Sequence, residues 1–207
     1  MSWIVFYPRT LWRSCRHPLR MMDRGEQELN KPVAEQFRDV VSPAIFLLLT
    51  VVAANGFEVA TIGGSPLIDN GIGLSALVTD NTSLILFRLT AFASLPVIGG
   101  AFALKVMKRP VDRDTLQPAF YAQCFATTPV VLLCSIAETV SRLPQRAADV
   151  SAAVFLAIAA AFYIAVEAAW FTRELKRGPV VGTLWALAVF AVSALVLAVT
   201  VLLFAGA

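Results

Sequence analysis

Four ionisable residues stand inside otherwise apolar stretches of this chain: Glu58, Arg88, Glu138 and Glu167. A charge held in hydrocarbon is costly, so each is a candidate functional residue until a structural role is found for it. Carboxylates and a guanidinium in such a setting suit an ion, a proton or a lipid headgroup. The competing role is a buried ion pair that fixes the register of neighbouring helices. Other chemistry has less to work with. The Ser, Thr and Cys side chains of the apolar stretches have no intramembrane His or Lys as a base, and His17 is the single histidine. No glycine loop leads into Lys-Ser or Lys-Thr as a phosphate cradle would. Cys15, Cys124 and Cys134 lack metal-ligand spacing and read as reduced, apolar filler. The expectation is a chain with no catalytic residue, no metal and no cofactor.

The elements that must position the four charges follow from composition. The 207 residues are 58% hydrophobic and only 15% charged, where a soluble domain carries about 25% charged residues. The charges lie between five apolar stretches, at about 42–61, 82–104, 117–140, 150–171 and 180–204. About 20 residues at 1.5 Å each cover the ~30 Å hydrocarbon core. The pattern predicts an all-α polytopic bundle of five transmembrane helices over 41–207, preceded by a basic amphipathic tail over 1–40. Ser42-Pro43 suits the start of the first span. Pro96 and Pro129 should kink spans two and three, which membrane helices tolerate. Residues 62–81, rich in Gly and with Pro66, mark an apolar loop expected on the membrane surface or against the bundle. Span three is the least apolar, with Gln117, Gln123, Thr127 and Thr128, so a re-entrant segment is the alternative there. The opening residues lack a basic leader and a long apolar run, so the first span is expected to direct insertion.

Charge placement predicts orientation. The tail and the loops after spans two and four hold seven, four and three Lys/Arg, against Arg142 and Arg146 in the opposite loops. By the positive-inside rule the N-terminus is cytoplasmic and the C-terminus external. Glu58 then ends span one near the outer surface. Arg88 lies about 9 Å along the helix from Thr82, and Glu138 closes span three on the same side. The three share a depth, and a Glu58–Arg88 pair is the natural outcome. Glu167 lies on the inner side, where it is expected to snorkel or to meet Lys105 or Arg173.

Two further patterns concern surfaces. Arg9, Arg13, Arg16 and Arg20 recur at helical spacing. With Leu11, Trp12, Cys15, Leu19 and Met22 they suit the headgroup layer of an anionic membrane, and Pro18 should interrupt the helix. Ala153, Ala157, Ala161, Ala165 and Ala169 form a small-residue stripe on span four, expected to pack within the bundle or, failing that, against a second copy. The expected partners are the bilayer, anionic headgroups, and a membrane protein or a second copy of the chain. No aromatic-interleaved basic groove points to nucleic acid.

The span-three stretch Phe120-Tyr-Ala-Gln-Cys-Phe-Ala-Thr-Thr-Pro129-Val-Val-Leu-Leu resembles the aromatic-Ala to Thr-Pro segment in a middle span of the Yip family, five-span membrane proteins that interact with Rab proteins in eukaryotes and have bacterial relatives. The resemblance implies a cytoplasmic N-terminus, five spans, an external C-terminus and a non-enzymatic scaffold or partner-binding role. It makes Tyr121, Thr128 and Pro129 structural residues of a kinked helix. Short loops suggest a bacterial inner membrane. The alternatives are a small oligomeric transporter or permease subunit using the Glu58, Arg88 and Glu138 cluster, and an anionic-lipid-binding regulator working through the tail.

Overall fold

The computed structural model describes residues 3–64, 78–144 and 148–205. The 62–81 loop, apart from its ends, and Arg146 lie outside the described residues. Every described element is helical: α1 Trp3–Arg16, α2 Pro18–Glu28, a single 3₁₀ turn Val33–Glu35, α3 Pro43–Ile62, α4 Asn81–Val106, α5 Arg113–Ser141, α6 Ala148–Leu175 and α7 Pro179–Ala205. α3 to α7 are long and apolar enough to cross a membrane. The expected all-α bundle of five spanning helices is thus the fold.

The helices outrun the apolar stretches because local caps set their ends. Asp80 accepts from the Ser83 N–H and Asp112 from the Thr115 N–H, each in a reciprocal capping box that starts α4 and α5. At the other end of α3, Gly63 adopts φ +85 and its N–H bonds to the Val59 carbonyl, the left-handed cap that glycine takes without strain. Pro96, Pro118 and Pro129 all lie inside continuous helices.

α5 is the hub, packing against α2, α3, α4 and α6. That explains its polarity. Gln123, Thr127 and Thr128 are fully buried, facing protein rather than lipid. Thr127 and Thr128 donate to the carbonyls of Gln123 and Cys124, at 2.8 Å and 2.6 Å, so neither hydroxyl is wasted. α5 is a full helix, not a re-entrant piece.

The described part of the N-terminal segment packs against the spanning helices. α1 and α2 break at His17, ahead of Pro18, and seat themselves on the end of the bundle. The Tyr7 hydroxyl meets Thr50 Oγ1 at 2.9 Å, and its ring packs on Phe46, which in turn reaches Phe125. Thr10 Oγ1 accepts the Val41 N–H at 3.2 Å. Gly25 lies directly on α5, where a Cβ would stand 3.1 Å from the Tyr121 backbone. Arg173 of α6 donates to Asp23 through both terminal guanidinium nitrogens, one of the contacts at 2.9 Å. The apolar residues of this segment therefore divide. Leu19 and Met22 pack with α4 to α7 and Leu11 with α3, while Trp12 and Cys15 are exposed.

The elbow after α2 turns on Glu28. Its buried carboxylate accepts from Lys31 at 2.7 Å, from Arg24 at 3.2 Å and from the Phe37 N–H at 2.9 Å. Phe37 sits in the left-handed region, φ 54, where a side chain is strained, and its ring packs on Tyr121. Burial would raise the Glu28 carboxyl, but Lys31, the Phe37 N–H and Arg24 outweigh it and hold the group below its ordinary 4.5. A depressed carboxylate contributes stability in full above its unfolded value and loses it as pH falls through the folded one. Amide exchange at Phe37, corrected for intrinsic rate, should show protection at pH 6 that fades below pH ~4.5. Glu28→Gln should show weak protection at both. Equal protection of the native chain at pH 6 and pH 3 would contradict this.

Candidate functional site

The three charged residues expected at one depth do meet, and a fourth joins them. Glu58 comes from the last turns of α3, Arg88 from the second turn of α4, Glu138 from the end of α5 and Arg142 from the residue that caps α5. Arg88 Nη1 donates to Glu58 Oε2, and Arg88 Nη2 to Glu138 Oε1 at 3.2 Å. Arg142 Nη1 donates to Glu58 Oε1, and Arg142 Nη2 to Glu138 Oε1 at 2.6 Å. Asn55, one turn before Glu58, accepts from Arg88 Nη1 at 3.3 Å. Two carboxylates and two guanidiniums thus alternate in a closed ring with no net charge.

Burial is graded across the ring. The side chains of Glu58 and Arg88 are 2% and 8% exposed, those of Arg142 and Glu138 26% and 36%. The inner half is sealed by protein and the outer half opens at the end of the bundle. Each Glu58 oxygen accepts from a different arginine, so both oxygens are paired. Every charge of the ring is matched by an opposite one. What the ring does well is tie α3, α4 and α5 together at one end.

The spacing reading missed Arg142, counting it only as a loop charge. The signal was present in the sequence, since Glu138 and Arg142 are four apart, the separation that brings side chains together on a helix.

Glu167 is placed differently from expectation. It neither snorkels nor meets Lys105 or Arg173. It is fully buried, and Gln123 Nε2 donates to it at 3.3 Å. Trp170, Phe171 and Val166 are buried around the same turns of α6, so the side chain is held inward rather than toward the headgroups. Gln123 itself is pressed against α4, where a Cβ on Gly99 would stand 2.6 Å from its Oε1.

Of the two roles expected of the alanine stripe, packing within the bundle is the one that the structure contradicts. Ala153, Ala157, Ala161, Ala165 and Ala169 are all exposed on the outer face of α6. The inward face carries Ala152, Ala159, Tyr163, Val166, Glu167 and Trp170. The close approach between α6 and α7 is made instead at Gly182, where a Cβ would fall 2.1 Å from Thr172 Oγ1 and 2.7 Å from the Ala168 carbonyl. Tyr163, Glu167 and Trp170 take the buried face of α6, and the alanine stripe lies on the face opposite.

Of the arginine stripe, Arg9, Arg16 and Arg20 are exposed and Arg13 is half-buried. The Arg16 guanidinium lies over Trp12 at 5.9 Å from the ring centroid. The half-buried Arg13, with His17, Arg20, Arg24 and Lys31, lines a shallow groove of about 470 Å³ beside Glu28. Among the described residues, no group of His, Cys, Asp and Glu is arranged to hold a metal ion.

Fold and site define the class: an all-helical integral membrane protein with five spanning helices, three of them locked by a neutral ion-pair ring. No family model, no curated protein and no solved structure matches the chain.

Proposed function

We propose that this chain is a non-enzymatic scaffold of the bacterial inner membrane, of the Yip-like kind, that grips anionic lipid headgroups through its N-terminal helices. The observation that carries the reading is the seating of α1 and α2. They are bolted to α3, α5 and α6, yet leave Arg9, Arg16, Arg20 and Trp12 facing outward. Cationic side chains flanking an exposed indole suit the headgroup layer. The same end of the bundle holds the basic Lys105–Arg113 loop and Arg173, which supports a cytoplasmic N-terminus under the positive-inside rule. The Yip-like element rests on the span-three motif: Thr128 and Pro129 are buried at the hub of the bundle, as structural residues would be. The saturated ring weighs against the transporter reading, because it offers no unpaired charge to a substrate.

Each cationic side chain near an anionic surface contributes about 1 kcal/mol. Replacing Arg9, Arg16 and Arg20 with Gln should therefore weaken retention of an anionic lipid by roughly a hundredfold at low salt, leaving a zwitterionic lipid unaffected. Native mass spectrometry of the purified protein with phosphatidylglycerol or phosphatidylcholine reads both. Equal retention of the two lipids by the native chain would overturn the proposal.

A further inference from the structure

The groove of about 470 Å³ beside Glu28 carries four cations, Arg13, Arg20, Arg24 and Lys31, and a single carboxylate. Arg20 and Arg24 are four apart on one face of α2, and Lys31 lies just beyond its end. Arg13, in the last turn of α1, joins that face across the break at His17. Two of the four cations already have counter-ions. Glu28, 2% exposed, accepts from Lys31 at 2.7 Å and from Arg24 at 3.2 Å. Arg24 also reaches Asp39 at 3.4 Å. Two carboxylates therefore balance Arg24 and Lys31. The side chains of Arg13 and Arg20 have no hydrogen-bond or ion-pair partner among the described residues. The other acids of α2 do not line the groove: Asp23 is held by Arg173, and Glu26 lies in the field of Arg109 and Arg173.

A half-buried cation such as Arg13 is unfavourable without a counter-charge. A guanidinium presents a planar fork of N–H donors, the shape that binds a phosphate through two oxygens. Two unmatched charges in one groove call for a dianion. A carboxylate or a phosphodiester brings one negative charge. A phosphomonoester brings about 1.5 to 2 at pH 7, with three strong acceptor oxygens. We infer that the groove binds a phosphomonoester, held by Arg13 and Arg20, while Glu28 keeps Arg24 and Lys31 fixed beside it. A lipid with a terminal phosphate and a soluble phosphate carry the same chemistry. The lipid source rests on the headgroup reading above; the phosphate site itself does not, and Arg13 has no part in that reading.

The test uses the full-length protein in a neutral detergent and has two arms. Native mass spectrometry compares phosphatidic acid, a monoester, with phosphatidylglycerol, a diester, on the same acyl chains. Isothermal titration reads inorganic phosphate alone. From a lipid source, phosphatidic acid should be retained about fivefold better at low salt, the effect of one further charge. From a soluble source, inorganic phosphate should bind and the two lipids should be retained alike. In either case Arg13→Gln should abolish the effect and leave the preference for phosphatidylglycerol over phosphatidylcholine in place. Arg13 has no ion pair to lose, so folding should survive; Arg20→Gln, at an exposed position, is a milder variant read in the same way. Arg9→Gln with Arg16→Gln should lower both anionic lipids without changing their ratio. Equal retention of phosphatidylglycerol and phosphatidylcholine, with the monoester effect intact, would remove the headgroup reading and leave the groove standing. No monoester preference together with no phosphate binding, or an effect that persists in both the Arg13 and Arg20 variants, would overturn the inference.

Discussion

Glu58→Gln should be the most damaging conservative substitution in this chain, lowering stability by about 3–5 kcal/mol. The reason is arithmetic of charge. Removing one carboxylate leaves Arg88 and Arg142 sharing a single Glu138, with Arg88 buried. A buried charge stripped of its partner costs far more than the pair ever contributed. Glu138→Gln removes the same charge from the more exposed half, where water can replace it, and should cost clearly less. Equilibrium unfolding in mixed micelles gives both values. Equal losses, or a Glu58→Gln loss under 1 kcal/mol, would contradict the ring as a clamp.

Gly182→Leu should rank next. Thr172 Oγ1, the Ala168 carbonyl and the Thr172 backbone nitrogen at 2.8 Å all occupy the space of a Cβ there. Two of these three atoms are backbone, so α6 and α7 must move apart. Overpacking of this kind costs about 1–3 kcal/mol, and contact with backbone puts the substitution at the top of that range or beyond it. Ala161→Leu, on the exposed stripe, should change stability by no more than about 0.5 kcal/mol. The reverse order in the same unfolding assay would restore the alanine stripe as the packing face.

The legible part of this fold was the part that hydrophobicity and charge decide. Five apolar stretches became α3 to α7, because length against bilayer thickness leaves little choice. Glu58, Arg88 and Glu138 could be brought to one depth, because alternating helix direction and 1.5 Å per residue fix it. Rotation about each helix axis was not legible in the same way. The alanine spacing at every fourth residue described a stripe but not the direction it faces. Tyr163, Glu167 and Trp170 on the opposite side decided that, by taking the buried positions. Glu167 was misjudged for a related reason. Distance from the helix end suggested escape to the surface, whereas its inward face and Gln123 hold it in the core. The N-terminal segment read as a tail because it is polar on average. Its docking contacts, Tyr7 on Thr50 and Asp23 on Arg173, join residues 43 and 150 apart in the chain, a distance at which pattern alone says nothing. The polarity of span three was a sign of centrality in the bundle, not of weak membrane character.

The ring also changes what a charge swap means. For an isolated Glu58–Arg88 pair, exchanging the two residues should restore folding. In a ring, Lys at 58 would face Arg142 and Glu at 88 would face Glu138, so the exchange should fail even though Glu58 and Arg88 are in contact.

The most direct test therefore pairs Glu58→Gln with the loss of each arginine in turn. Unfolding free energies in mixed micelles are compared for Glu58→Gln, for Glu58→Gln with Arg88→Gln, and for Glu58→Gln with Arg142→Gln. A closed neutral ring predicts that either arginine, once removed, restores charge balance and recovers about 1–3 kcal/mol of the loss. Recovery through Arg88 alone, with none through Arg142, would contradict the closed ring and reduce it to contacts made by Arg88.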